Sequence, residues 1–326
     1  MEPQKEPNPN YLPYPSHPQS TDDEIDLREL FKALWKGKWI IIITTFVFAT
    51  GSVLYALSLP NIYKADVLLA PTESSNGGGL SQMASQLGGL AALAGVNFGG
   101  EESSQTELAV QVMKSRQFVN DFIEKHDLLV PLIAAKNWDL SQNKLIIDSE
   151  IYNDKVNKWL RKPVGLRGST PTPQEAYDVF RNKILNISQD KESGLYILSV
   201  SHYSPYIAQQ WAEWLVDDIN QVMRKRAIDD ATQNLNYLHS QLNKTSIADM
   251  QSAFYNLVEE QTKSLMLAEV QDEFVFKTID PAVVPEVKSA PNRAFLCILA
   301  TLIGSVIGCS IVMVIFAFKR SNNKAP

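Results

Sequence analysis

Hydrophobic positions along the chain follow three different periods. Two runs are unbroken: residues 39–59 and residues 294–318 hold no charged side chain. Each supplies the ~20 apolar residues that a helix needs to cross the hydrocarbon core of a bilayer. Ahead of the first run, Ile25, Leu27, Leu30, Phe31, Leu34 and Trp35 recur at helical spacing behind Asp22, Asp23 and Glu24. That pattern predicts an amphipathic helix with acids at its start and lysines toward its end, as the helix dipole favours. Strand-like alternation marks residues 62–70, then residues 183–188 and 195–202 around the polar turn 190–194, and finally Phe274, Phe276 and Ile279. These predict one strand, one β-hairpin and a last strand.

The remaining period is helical. It covers residues 106–125, 150–162 and 173–183, the last with Thr172 as cap before Pro173. Ser204 and Pro205 then open a longer helix carrying Ile207, Trp211, Trp214, Leu215, Ile219, Val222 and Met223, with no Gly or Pro to interrupt it. A helix over 205–242 is ~57 Å long at 1.5 Å per residue, well beyond the usual three or four turns. Such a helix projects away from the membrane or runs along a neighbour. Ser246 is the predicted cap of a second helix ending near residue 268. Pro281, Pro285 and Pro291 predict an extended strap leading into the second apolar run. Residues 1–20, rich in Pro, Asn, Ser and Gln without an apolar period, read as disordered. Residues 74–100 are small, Gly-rich and uncharged. They admit two readings: an element that touches membrane, a neighbouring subunit or a polymer, or a flexible loop with a short helix inside it.

Charge orients the two runs. Arg28, Lys32, Lys36 and Lys38 precede the first, and Lys319, Arg320 and Lys324 follow the second. Short flanks rich in Lys and Arg stay in the cytoplasm. Both tails are therefore expected there, with the intervening loop of roughly 230 residues exported. A cleaved signal peptide is the competing reading of the first run, since Ala56 and Ser58 are spaced like a cleavage site. The run is longer than the usual ~7–15 residues and lies far from the start of the chain. Within the second run, Ala300, Gly304 and Gly308 stand at four-residue spacing. They form a candidate helix–helix contact, although glycine is common in membrane helices in any case.

Composition narrows the chemistry. The formal net charge of −6 argues against a nucleic-acid binder. Both cysteines, Cys297 and Cys309, lie inside the second run. The exported part is therefore held by its own core without disulfides, which suits a bacterial envelope. His17, His126, His202 and His239 form no metal-binding spacing, and no Gly-x-Ser-x-Gly elbow occurs. The neighbouring acids Asp217–Asp218, Asp229–Asp230 and Glu259–Glu260 fall on predicted helices, where adjacent positions diverge by ~100°. They read as solvated helix faces. No catalytic, cofactor-binding or metal-ligating residue is expected.

Three stretches resemble bacterial polysaccharide co-polymerases of the Wzz type, the chain-length determinants of lipopolysaccharide O-antigen. The first is Glu24-Ile25-Asp26-Leu27-Arg28-Glu29-Leu30 with Trp35 and Trp39. The second is Leu59-Pro60-Asn61-Ile62-Tyr63-Lys64-Ala65. The third runs from Leu257-Val258-Glu259-Glu260-Gln261 through Leu265-Met266-Leu267-Ala268 to Phe274-Val275-Phe276-Lys277-Thr278-Ile279-Asp280-Pro281-Ala282, and ends with Pro285, Pro291 and Arg293. The resemblance implies an α+β, two-pass membrane protein with a membrane-proximal periplasmic α/β domain and a long protruding helical arm. It also implies ring-like homo-oligomers that set polymer length without catalysis or a cofactor. Expected partners are further copies of the chain, a Wzy-type polymerase, the growing lipid-linked polysaccharide and the bacterial inner membrane. The implied division is a cytoplasmic tail over 1–38, a span over 39–59 and a periplasmic domain over 60–293. Within that domain, 60–204 and 270–293 form the base and 205–269 the long helices. A second span over 294–318 and a cytoplasmic tail over 319–326 complete the chain. So short a tail is expected to hold neither the kinase of related exopolysaccharide proteins, unless a separate kinase subunit partners the chain, nor the output domain of a two-pass periplasmic sensor.

Overall fold

The computed structural model describes residues 27–72, 101–245 and 247–322. The expectations for residues 1–20 and 74–100, for Asp22–Glu24 as a helix start, and for Ser246 as a cap lie outside them. The chain divides into two compact units, with boundaries at Leu57/Ser58 and Asn292/Arg293.

The first helices belong to one unit. Helix α1 (Leu27–Lys36) ends at Gly37, and α2 (Lys38–Ser58) begins immediately after it. Trp35 stacks on Phe31 with ring centroids 6.2 Å apart, and the Lys38 ammonium lies 5.4 Å from the Trp35 ring. Aromatic rings beside a lysine at the start of an apolar helix suit a headgroup layer.

The other unit, Ser58–Asn292, is built on a four-stranded antiparallel sheet. Its first strand is β1 (Tyr63–Pro71). Helices α3 (Glu101–Met113), α4 (Arg116–Lys125) and α5 (Leu129–Ile133) follow. Two small hairpins come next: β2 (Ala135–Asp139) with β3 (Lys144–Ile147), and β4 (Tyr152–Asn153) with β5 (Lys158–Trp159). Helix α6 (Pro173–Val179) runs into a π-helical turn, Phe180–Ile184, and from there into β6 (Leu185–Gln189) and β7 (Tyr196–His202). The long helices α7 (Pro205–Leu242) and α8 (Ala248–Val270) precede the last strand, β8 (Phe276–Asp280).

The strand order is β6-β7-β1-β8. Tyr63 lies opposite His202 and Leu69 opposite Tyr196, while Pro71 lies opposite Phe276 across a register shift at Leu68/Leu69. This register places Ala65, Val67 and Leu69 with Leu198 and Val200 in the buried layer, because alternate residues of a strand share a face. Helix α7 closes that layer with Trp211, Leu215 and Ile219, and Phe122 and Phe180 pack into the same core. Each such side chain contributes ~1.5–3 kcal/mol relative to leaving it exposed. Beyond Met223, the buried residues of α7 are Ala231 and Leu238. The bond from Asn234 to Gln261 and the ion pair from Arg224 to Asp272 run in opposite chain order, so α7 and α8 are antiparallel.

Local signals decide where the predicted elements differ from the observed ones. The helix expected over 106–125 breaks at Lys114, because Ser115 caps α4 by accepting from the Phe118 N–H. The helix expected over 150–162 is the β4/β5 hairpin instead. Asn153 accepts from the Lys155 N–H, Asn157 adopts φ +48°, and Tyr152 packs against Trp159 at 4.9 Å. Turn chemistry at these two asparagines outweighs helical spacing. Thr172 caps α6 reciprocally with Glu175, as its position before Pro173 predicts. Helix α7 begins and ends at the predicted residues, with Ser204 accepting from Ile207.

The chain closes with α9 (Arg293–Asn322), in the same unit as α1 and α2. The described residues hold two helices long and apolar enough to cross a membrane, Lys38–Ser58 and Arg293–Phe318, with mean hydropathies of 2.1 and 2.5.

Candidate functional site

The small residues of α9 form a seam with α2. Gly304 and Gly308 are buried, Ala300 one turn earlier is half-buried, and buried Val312 continues the row. A Cβ built on Gly304 lies 2.7 Å from the Phe48 Cβ. One built on Gly308 overlaps the Thr44 hydroxyl and lies 3.0 Å from the Ile41 Cα, a backbone atom that cannot rotate aside. Gly37 has the same relation to the Val312 methyls, so its lack of a side chain lets α9 pass the α1–α2 junction. The Thr44 hydroxyl donates to the Ile40 carbonyl at 2.9 Å, which satisfies it inside an apolar helix. Gly37 escaped notice in the sequence because it precedes the apolar run.

The strap residues Asp280, Pro281, Pro285, Pro291 and Arg293 are strung along an extended segment and do not converge on a cavity. Asp280 ends β8, exposed and opposite Leu68. Pro281 is also exposed, Pro285 and Pro291 are half-buried, and Ala290–Pro291 is a cis peptide. Arg293 opens α9. Backbone bonds stitch the end of the strap to the residue before β1: Ile62 N–H donates to Ala290 O at 2.9 Å, and Ser289 N–H to Ile62 O at 2.8 Å. The second and third family-like stretches of the sequence therefore meet through their main chains.

The start of β8, ahead of the strap, is held by Asn220, which is 4% exposed on α7. Its Oδ1 accepts from the N–H groups of Val275 and Phe276 at 2.9 and 3.0 Å, and its Nδ2 donates to Phe276 O at 2.9 Å. Gln209 repeats the device one element further on, donating to Ala282 O at 3.2 Å. Residue spacing gave no sign of either contact. The only local signal was an amide on the otherwise apolar stripe of Ile219 and Met223.

Two titratable clusters lie in the same unit. Asp218, expected on a solvated face, is buried instead. It accepts from the Lys125 ammonium at 2.6 Å and pairs with His126 Nε2 at 2.9 Å, and the imidazole stacks on Trp214 at 4.2 Å. The α4 terminus covers it, which the α7 sequence alone does not disclose. Its neighbour Asp217 has a raised pKa, through burial first and then the charges of Asp218 and Glu213. His202 is buried with both ring nitrogens engaged: Ser204 N–H donates to Nδ1, and Nε2 bonds Pro131 O, each at 3.1 Å. The imidazole is thereby fixed as the neutral Nε2–H tautomer. Burial lowers its pKa to about 4.

A cavity of about 380 Å³ adjoins His202 and is lined also by Ile62, Leu132, Ile184, Lys183 and Tyr203. A second, of about 490 Å³, lies between α3 and β6, with Glu107, Gln111, Lys114 and Tyr196 in its wall. In the first cavity, His202 has no nitrogen left to accept a proton. Among the described residues, no group of three His, Cys, Asp or Glu side chains is placed to hold a metal ion.

Residues 23–126 match the family model described as Wzz, chain length determinant protein. Among solved structures, a full-length bacterial polysaccharide co-polymerase is similar at 14% identity, over 92% of this chain and 100% of that one, with a TM-score of 0.38. A fragment of WzzB, a polysaccharide co-polymerase from Salmonella Typhimurium, is similar at 10% identity over 71% of this chain and 100% of its own, with a TM-score of 0.29. No curated protein matches the chain significantly.

Proposed function

We propose that this chain, which matches the Wzz chain length determinant model over residues 23–126, regulates, without catalysis, the length of lipopolysaccharide O-antigen made by a Wzy-type polymerase. One observation carries this reading: a continuous match that begins before the first bilayer-length helix and runs through it, the central strand and α4. The basic flanks support an inner-membrane protein with both termini in the cytoplasm and the Ser58–Asn292 unit in the periplasm. Exposed Tyr237, Tyr255 and Met266 on α7 and α8 support assembly of further copies along these helices. The assembly would limit elongation through its shape or a polymer-contacting surface, working beside the polymerase on lipid-linked polysaccharide.

The test is a deletion strain complemented with the chain, read as the ladder of O-antigen lengths on a gel. Complementation restores a modal length that the deletion lacks. An unchanged ladder combined with altered enterobacterial common antigen, capsule or exopolysaccharide length would assign the regulator to that glycan. No change in any envelope glycan would sink the reading.

A further inference from the structure

Residues 154–167 combine two features that the fold does not use. The segment carries five basic residues against the single acid Asp154. It also exposes four aliphatic side chains: Val156 at 65%, Leu160 at 45%, Val164 at 72% and Leu166 at 103%. A lone exposed leucine is ordinary, but four exposed aliphatic side chains interleaved along one short segment with five cations are not.

The basic residues divide into two sets. Arg161 and Arg167 are structural: both pair with Glu175, at 2.9 and 3.4 Å, and Arg161 also donates to the Ser169 and Gly168 carbonyls. Lys155, Lys158 and Lys162 are exposed and form no ion pair among the described residues. The arginines hold the root of the segment, while its tips are fixed by turns. Val164 and Arg167 exchange backbone bonds of 2.9 and 3.1 Å around Gly165 at φ +61°, and Asn157 adopts φ +48° at the end of β4/β5. The aliphatic tips are therefore presented on a tied backbone, which lowers the ordering cost of binding.

We propose that residues 155–167 are a third point of membrane attachment. The aliphatic side chains enter the boundary between headgroups and acyl chains of an anionic bilayer, and the three unpaired lysines meet its lipid phosphates. Apolar groups beside lysines are the combination that binds this boundary, whereas an anion in water would need only the charges. The helices on either side of the Ser58–Asn292 unit tether it to a bilayer, so the surface is present at high effective concentration. The proposal rests on α2 and α9 crossing a bilayer and not on which polymer is regulated.

The test uses the full chain with Cys297→Ala and Cys309→Ala, reconstituted in lipid nanodiscs and labelled at Leu166→Cys with an environment-sensitive fluorophore. In phosphatidylglycerol-containing discs, the emission shifts to the blue and is quenched by doxyl-labelled lipid. In phosphatidylcholine discs both effects fall at least severalfold. Lys155→Glu, Lys158→Glu and Lys162→Glu together produce the same loss in the anionic discs. Water-like, unquenched emission in anionic discs overturns the proposal whatever the triple variant does. So does a blue shift that doxyl lipid leaves unquenched and that fades on dilution, because that outcome identifies a second copy of the chain as the occupant.

Discussion

Asn220 sits on the buried stripe of α7, where packing alone favours an apolar side chain, yet its amide satisfies three main-chain groups at the start of β8. Asn220→Leu keeps the size and strands those groups, each at a cost of ~1–3 kcal/mol. The thermal midpoint of the full-length protein in mild detergent is expected to fall by several degrees; an unchanged midpoint means the start of β8 is held elsewhere. His202 gives a pH dependence. Its pKa is about 4 when folded, against the ordinary 6.5 of an imidazole in water. The unfolded chain therefore takes up a proton that the folded chain refuses. Stability is full above pH ~6.5 and declines as pH falls toward ~4, by up to about 3 kcal/mol. His202→Asn should flatten that decline between pH 7 and pH 4.5 while lowering stability at pH 7. An equally steep decline in the variant would place the acid sensitivity in other groups. Neither role was legible in the sequence, because Phe276 lies 56 residues from Asn220 and Pro131 lies 71 from His202.

Elements were legible wherever their determinants are local. The Ser204 cap with Pro205, the Thr172–Glu175 box and the β6/β7 alternation each lie within a few residues of what they specify. Thr172→Ala should cost ~1 kcal/mol, seen as a small drop in thermal midpoint. In the β4/β5 segment, helical spacing and a short hairpin both fit so few apolar positions, and Asn153 and Asn157 decide between them. The spacing of Ala300, Gly304 and Gly308 marks a candidate helix–helix contact but not the residues it meets. The structure places Gly304 on Phe48 and Gly308 on Thr44 and Ile41. Gly304→Leu with Gly308→Leu should push α2 and α9 apart and weaken polymer-length control, measured by the glycan ladder and by cross-linking across the two helices. Normal cross-linking and a normal ladder would reduce the helices to tethers.

For the whole molecule, the decisive features are the bracketing helices and the antiparallel sheet between them. Strand β1 follows α2 within five residues, and the strap returns to Ile62 just before α9 begins. Main-chain bonds thus tie the start and the end of the Ser58–Asn292 unit to each other. If copies assemble as proposed, mild-detergent extracts should contain a defined oligomer by light scattering. Charged replacements at exposed Tyr237 and Tyr255 should then shift it toward monomer with no loss of thermal stability. A strictly monomeric native protein would contradict a ring-based mechanism.

The sequence by itself determined the two bilayer-length helices, the sheet strands, the uninterrupted α7 and the family resemblance. Each of these follows from periodicity or from motifs within a short window. Tertiary structure alone decided which side chains became structural: the Asn220 clamp, the Asp218 cluster, the neutral His202 and the seating of the glycines on α2. Those roles depend on desolvation and on hydrogen-bond partners brought together from distant parts of the chain, and a one-dimensional pattern carries neither.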